Sequence, residues 1–316
     1  MNTSNRETTT VTHFILLGFS SSPEMQLLYF GLFSTTYTLT LTGNALIACA
    51  VLLDRRLHIP MYILLGNFSL LEMCYVTTTI PNMLANLLST SKSISFLSCF
   101  AQFYFFFSFG YDEGFFLCAM AFDRYLAICH PLHYPHIMTK QLYTSLVILG
   151  WLFGFTLYLA PVVLISRLPY CGPNIINHFM CDPVPLMMLS CSEDTITQFL
   201  YSTLNVIFMI GTLIFILCSY ALVIRAVLKM PSTASKHKAF STCASHLAVV
   251  TLFYSPIIMM YVSPGSGHPE KMQKIITLFY SVITPLCNPL IYSLRNKEMK
   301  AALRKIFRTE QGIQKI

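Results

Sequence analysis

Seven stretches of this 316-residue chain are each long and apolar enough to cross a lipid bilayer. They run Leu27–Leu53, Met61–Leu88, Phe96–Cys129, Leu142–Ile165, Phe199–Leu228, Ala239–Val262 and Ile275–Leu294. A hydrocarbon core takes roughly 20 apolar residues per helical crossing, and inside it every backbone polar group must be satisfied within the segment. Runs of this length therefore fold as helices. Composition agrees, with 55% hydrophobic and only 10% charged residues, a membrane rather than a soluble balance. The third and fifth runs overshoot a bilayer and should tilt or protrude. The sixth is the most polar, with Ser241, Thr242, Ser245 and His246 at one end. No linker, repeat or low-complexity segment divides the chain. The expected fold class is an all-α membrane protein, a seven-transmembrane helix bundle. We read residues 1–316 as a single unit, with a tail at 1–24, the bundle at 25–294 and an inner end at 295–316.

Orientation follows from the basic residues. With the first tail outside, fifteen of the twenty Lys and Arg face the cytosol, and five face out: Arg6, Lys92, Arg167, Lys271 and Lys274. The net charge of +7 is thus a topology signal, and a nucleic-acid partner has no separate basic patch to bind. Phe14–Phe19 is too short for a cleavable signal and has no basic flank before it, so the first span should insert as a signal anchor. Asn2-Thr3-Ser4 is a glycosylation sequon on the outer tail. Asn67-Phe68-Ser69 also matches, but lies in a span and should stay bare.

Four of the eleven cysteines face the oxidising side: Cys99 at the start of the third span, and Cys171, Cys181 and Cys191 in the second outer loop. Disulfides are the natural reading, with three possible pairings. The other seven read as small apolar packing residues. His178, Cys181 and Asp182 fall within one turn and could ligate a metal, although an oxidised Cys181 would offer no thiolate.

Charges inside apolar runs are costly and mark function by default. Asp123-Arg124-Tyr125 ends the third span, where Arg124 alone could be an anchor snorkelling to headgroups. Glu72 lies fourteen residues from His58, and Glu113 eleven from Arg124. At about 1.5 Å per residue both carboxyls sit near mid-bilayer. They must share a proton, bind a cation or pair with a base. Cys99, Phe103, Phe106, Gly110, Glu113, Leu117, Met120 and Arg124 recur at helical spacing and share one face. Beside Phe106, Gly110 removes side-chain volume, read either as close helix packing or as a small apolar cavity. Asn44 and Trp151 read as packing residues. Tyr201, Leu204, Asn205 and Phe208 form a stripe on the fifth span, and Tyr254, Ile257, Ile258 and Tyr261 another on the sixth. Pro256 should kink the sixth span, and Pro285 and Pro289 make the seventh irregular. Across Asn296–Arg308, Met299, Leu303, Ile306 and Phe307 take one helical face with basic residues around the rest, an amphipathic interfacial helix.

Seven spans with an outer amino terminus resemble the rhodopsin-like G-protein-coupled receptors. Asp123-Arg124-Tyr125 matches the family motif on its third helix, and Asn288-Pro289-Leu290-Ile291-Tyr292 the motif on its seventh. More closely, Leu57–Tyr62, Met120–Cys129, Ser219-Tyr220, Lys238–His246 and Pro285–Asn296, in that order, resemble vertebrate olfactory receptors of the tetrapod type, near the group numbered eleven. The long outer loop around Cys171–Asp182 is also similar. Phe122, Tyr111, Asp112 and Ser255-Pro256 depart from the usual pattern.

The resemblance implies disulfides Cys99–Cys181 and Cys171–Cys191, and a ligand pocket between the third, fifth, sixth and seventh spans, roofed by the second outer loop. Family position and helical phase together put Phe106, Gly110, Tyr111, Leu204, Asn205 and Phe208 in that pocket, with Tyr254, Ile258, Tyr261 and Ser281. Asp123, Arg124, Tyr125, Tyr220, Asn288, Pro289 and Tyr292 are implied in activation and G-protein coupling. Glu72 and Glu113 are candidates to bind sodium, and no other cofactor is expected. The partners implied are a small volatile odorant, a stimulatory heterotrimeric G protein that raises cyclic AMP, and the lipid bilayer of the cell membrane. With the spans bounded as above, no basic residue falls in the outer halves of the pocket spans, so a neutral odorant is expected. The competing class is a transporter or channel with a buried carboxylate path; a transporter would more often show two related halves with matching interrupted helices. No His-Glu-x-x-His, Gly-x-Ser-x-Gly or phosphate loop points to an enzyme.

Overall fold

The computed structural model of the chain describes residues 11–19, 22–192, 194–262, 270–295 and 297–313. Its long helices are α1 (Pro23–Leu53), α2 (Pro60–Leu88), α3 (Phe96–Cys129), α5 (Lys140–Ser166), α7 (Thr195–Lys229) and α8 (Thr233–Val262), with the short α4 (Tyr134–Ile137) and α6 (Pro183–Met188) between them. The seventh span is α9 (Glu270–Leu278), a π-helical turn over Phe279–Ile283, and α10 (Thr284–Arg295). A final helix, α11, runs Lys297–Ile313.

Helix starts precede the apolar runs because polar caps set them. Ser22 accepts from the Met25 N–H ahead of Pro23, and Thr139 from that of Leu142. Asp194 accepts from Ile196 and Thr197, so α7 begins four residues before Phe199. Such side chains satisfy backbone donors that the first turn leaves open. Between α1 and α2, the Arg56 guanidinium donates to both carboxylate oxygens of Asp54, at 3.0 and 2.6 Å. It holds that carboxyl well below its usual range.

Six helical stretches qualify as membrane spans by length and composition: α1, α2, α5, α7, Ala239–Met260 and Lys271–Tyr292. The third run does not qualify, because Gln102, Asp112, Glu113, Asp123 and Arg124 interrupt it. Its helix, α3, is instead the axis of the bundle, packed against α2, α5, α7 and α8. Polar groups survive there because they face protein. Cys99, Phe103, Phe106, Glu113, Leu117 and Met120 are all at most 2% exposed, as one inward face requires. Apolar residues of α5 and α7 such as Leu152, Ile207, Ile210 and Ile214 point outward, as lipid-facing side chains do.

Pro285 explains the irregular seventh span. Its ring removes an N–H donor and crowds the preceding turn, and the π turn immediately before it absorbs the misfit. The Thr284 N–H bonds Phe279 O, and its hydroxyl bonds Leu252 O at 3.1 Å on α8. At the far end, Met299 and Ala302 of α11 are buried in the core, with Leu303 and Ile306 packed beside them. Tyr62 of α2 donates to Glu298 at 2.8 Å. The Phe307 side chain and Asn2 lie outside the described residues.

One end of the bundle carries a cap that the sequence did not announce. Strands β1 (His13–Leu16), β2 (Ser93–Ser95) and β3 (Ile175–Ile176) form a sheet in the order β2-β1-β3. β1 runs antiparallel to β2 and parallel to β3. Phe14 and Leu16 are fully buried beneath it, with Phe14 against Phe96 and Tyr170 at ring separations of 5.8 and 5.5 Å. The tail that read only as too short for a signal is thus a structural strand. Cys99–Cys181 and Cys171–Cys191 are paired as the resemblance implied, with Cα separations of 5.5 and 5.7 Å. Cys181 is therefore unavailable as a metal ligand, and no cluster of three or more metal-binding side chains occurs among the described residues.

Candidate ligand cavity and transduction core

Beneath the cap lies a cavity of about 280 Å³. From α3 it is lined by Phe106, Phe107, Gly110 and Tyr111, and from α7 by Tyr201, Asn205, Phe208 and Met209. Phe253, Ile257 and Met260 of α8 face it, as do Gln273 and Thr277 of α9, Tyr280 of the π turn and Tyr75 of α2. His178, Asp182 and Val184 of the loop close the roof. Tyr111 stacks on Phe208, ring centroids 4.0 Å apart, and donates its hydroxyl to Asn205 Oδ1 at 3.1 Å. Asn205 in turn donates to Tyr201 O at 2.7 Å. The amide is therefore consumed by the wall.

Lys274 anchors the roof. It is 7% exposed, and its Nζ donates to Gly18 O and Asn177 Oδ1, both at 2.7 Å. One ammonium thus joins the amino-terminal segment, the long loop and α9. The seventh span was expected from Ile275, with no basic residue in its outer half. The helix instead begins at Glu270, so Lys274 is buried a full turn inside it. It does not line the cavity. Its neighbour His178 is pushed down to about 3, by burial first and then by the Lys274 charge, and its Nδ1 accepts from the Met180 N–H. Burial pushes the Asp182 carboxyl up to about 6, opposed by the Val184 N–H that it accepts. His178 is the neutral form at pH 7.

Deeper in the bundle the polar groups converge. Asn288 donates to Glu72 Oε1, and the Glu72 and Glu113 carboxyls meet. Glu72 Oε2, Glu113 Oε1 and Asn288 Oδ1 are buried without a hydrogen-bond partner among the described residues. Three hard oxygens of this kind suit a small cation, so the residues fit the sodium expectation. Asn44 bridges α1 to the seventh span, bonding Thr40 O at 3.0 Å and Pro285 O at 3.4 Å. A Cβ on Gly43 would lie 3.0 Å from Pro289 Cγ, so α1 approaches Pro289 only through glycine. Towards the opposite end, Tyr220 and His246 Nδ1 hydrogen-bond at 2.8 Å between α7 and α8. Asp123 accepts from Tyr134 at 2.7 Å, and Tyr125 bonds His130 at 3.0 Å. Arg124 Nε and the Tyr292 hydroxyl are buried without a hydrogen-bond partner among the described residues.

The profile of the olfactory receptor family matches residues 33–310. The chain is 59% identical to human Olfactory receptor 11H2 over 296 residues, 94% of this chain and 91% of that protein. It is 58% identical to human Olfactory receptor 11H6 over 96% of this chain and 92% of the relative, and 57% identical to human Olfactory receptor 11G2 over 95% and 87%. The chain belongs to the olfactory receptor family. It is accordingly a multi-pass membrane receptor that senses odorants through G-protein coupling, and not an enzyme.

Within this receptor the cavity brings together five of the expected residues: Phe106, Gly110, Tyr111, Asn205 and Phe208. Leu204, Tyr254, Ile258 and Ser281 do not line it. On α8 the error is one of helical phase. Ile258 is 40% exposed, while Tyr254 turns to α7 and donates to Thr212 at 2.7 Å. Phe253, Ile257 and Met260 take the inward positions. The side chain of Tyr261 lies outside the described residues. Ser281 is buried within the π turn, where the widened helix rotates Tyr280 and Thr277 to the cavity instead. Asp112 does not polarise the cavity floor. It accepts from the Gly154 N–H at 2.5 Å, where α5 crosses α3 against the Ser108 backbone. Trp151 does more than pack, donating to Asn67 Oδ1 at 3.1 Å. Tyr75 was missed, although its spacing of three from Glu72 puts both on one face of α2.

Proposed function

We propose that this receptor binds small, neutral, volatile odorants in the cavity beneath the cap and responds by activating a stimulatory heterotrimeric G protein, which raises cyclic AMP. It acts at the cell membrane with its amino terminus outside, and Asn2 is a glycosylation site. The observation that carries the reading is the cavity itself. It is roofed, mostly apolar and rich in aromatic rings, free of Lys or Arg among the described lining residues, and seated within a few turns of Glu72 and Glu113. An odorant anion would lack a lining counter-ion, and burying one unpaired is costly. Binding rests largely on apolar burial at about 25 cal/mol per Å², in keeping with weak, micromolar-range affinity. The acid pair holds sodium in the resting receptor, and Asp123, Arg124, Tyr125, Tyr220, Asn288, Pro289 and Tyr292 carry the response to the G-protein face.

An odorant screen in cells, read by cyclic AMP and repeated against stimulatory and inhibitory G proteins, tests this. Neutral volatiles should dominate the active set. A carboxylic acid as the strongest agonist, or coupling only to an inhibitory G protein, would contradict it.

A further inference from the structure

The polar side chains around the cavity are mostly spoken for. Tyr111 is bonded to Asn205, and Asn205 to its own helix. His178 accepts from Met180, one oxygen of Asp182 caps α6, and Tyr280 donates to Thr277 at 3.4 Å. Tyr75 differs. It lines the cavity, is 3% exposed, and its hydroxyl makes no hydrogen bond among the described residues. Its ring is held by stacking on Phe106, centroids 4.6 Å apart at 21°. Gly110 leaves the other approach open, since even a Cβ there would lie 3.9 Å from Tyr75 Cε2. The hydroxyl is thus pre-positioned, unengaged and open to the cavity, and a ligand that excludes water there must supply it a partner, since leaving a hydroxyl unpaired is costly.

We propose that the Tyr75 hydroxyl is the hydrogen-bonding partner of the odorant, so that α2 supplies the polar determinant of specificity. This rests on the cavity being the odorant site. It selects neutral molecules with an acceptor oxygen, such as ketones, esters and alcohols, over hydrocarbons of the same shape. The position also gives the contact a consequence. Tyr75 lies three residues from Glu72, about 4.5 Å along the helix, and within electrostatic range of Tyr280, Glu113 and Glu72. A ligand bonded there is held by a residue one turn of α2 away from Glu72.

The remaining oxygen of Asp182, at the roof, is the competing site, and it differs in chemistry. A carboxylate only accepts, whereas a phenol donates. The probes are neutral alcohols, ketones and esters, with alkanes of the same carbon skeletons, read by cyclic AMP with surface receptor quantified. In the wild-type receptor, ketones should match alcohols and both should exceed alkanes. Tyr75→Phe should raise the EC50 of oxygenated agonists roughly three- to tenfold and leave alkanes unchanged, while Asp182→Asn preserves the gap. Responses confined to alcohols, or a gap that closes in Asp182→Asn and not in Tyr75→Phe, overturn the proposal. The wild-type comparison stands even where a variant fails to reach the surface. Gly110→Leu separates the two readings: if it reorders the panel while Tyr75→Phe does nothing, the cavity stands and Tyr75 falls. If neither variant matters, or no probe activates a surface-expressed receptor, both fall.

Discussion

The cap and the opposite half of the bundle treat polar groups in contrary ways. In the cap, two disulfides, a three-stranded sheet and the Lys274 bridge tie the amino-terminal segment, the segment before α3 and the long loop together, and none of the described residues of these three segments holds a buried polar side-chain atom lacking a partner. In the helices, Asn82, Asn86 and Tyr158 beside the cap hold one each, and from the middle of the bundle inward Glu72, Glu113, Arg124, His246, Asn288 and Tyr292 all do so. A satisfied network rigidifies, and a partly satisfied one is easily rearranged, because new partners recover desolvation cost. The cap end is built to hold a cavity in one shape. The far half leaves polar groups open to exchange, which supports the signalling role proposed for it.

The largest effect should come from unfastening the cap. Cys99→Ala or Cys181→Ala frees the loop from α3, a loss of about 2–5 kcal/mol for a bridge of this kind. We expect surface expression or the odorant response to vanish, checked by labelling intact cells and by cyclic AMP. A normal response from Cys181→Ala would show that the sheet alone holds the roof.

Lys274→Met should act next. It keeps the volume of the side chain but leaves Gly18 O and Asn177 Oδ1 without their charged donor, and such bonds are worth about 1.5–3 kcal/mol each. Hydrogen exchange in residues 11–19 should quicken while that of α3 does not. Unchanged protection there would mean that β1 is fixed by strand pairing and not by the lysine.

The far half is tested by coupling. If Glu72 and Glu113 share a cation or proton, Gln at each should give a non-additive cycle, with an interaction of about 0.5–3 kcal/mol. Basal and agonist-stimulated signalling across a sodium series would report it. Strict additivity would argue that the carboxyls act separately.

How much of this was legible follows the same division. Apolar length and helical spacing disclosed the seven helices, the inward face of α3 and the burial of Glu72 and Glu113, because those depend on local periodicity. The disulfide pairing came from resemblance and not from spacing. The sheet was hidden, since a strand of four residues, His13-Phe14-Ile15-Leu16, has almost no pattern and owes its fold to partners 80 and 160 residues away. Lys274 was hidden for the opposite reason: a lysine beside an apolar run reads as the end of the helix, and only tertiary partners bury it. The phase of α8 was set one residue off, since Phe253, Ile257 and Met260 keep the helical period straight through Pro256; that of the seventh span failed at the π turn, where a strict 3.6-residue period no longer assigns faces. Inner-half residues such as Asp123 and Asn288 escaped this difficulty because a motif, not a period, located them.

Gly110 offers the finest test, since it sits on the boundary between the two halves. A methyl group there would meet Tyr75 at 3.9 Å, an ordinary contact, so Gly110→Ala should leave expression intact and shift odorant ranking only slightly. Gly110→Leu sends three further carbons into a cavity of about 280 Å³. Steric changes of one methylene in an apolar pocket are worth about 1–3 kcal/mol, so larger odorants should lose roughly ten- to hundredfold in potency while the smallest keep theirs. The cap should be untouched, because Gly110 contacts none of its strands, and surface levels should stay near wild type. A graded loss with odorant size would confirm that a rigid chamber does the selecting. A uniform loss across sizes would mean that leucine displaces Tyr75 and disturbs the acid pair below it. In that case recognition and switching overlap at this turn of α3, and the division between the two halves must be redrawn closer to the cap.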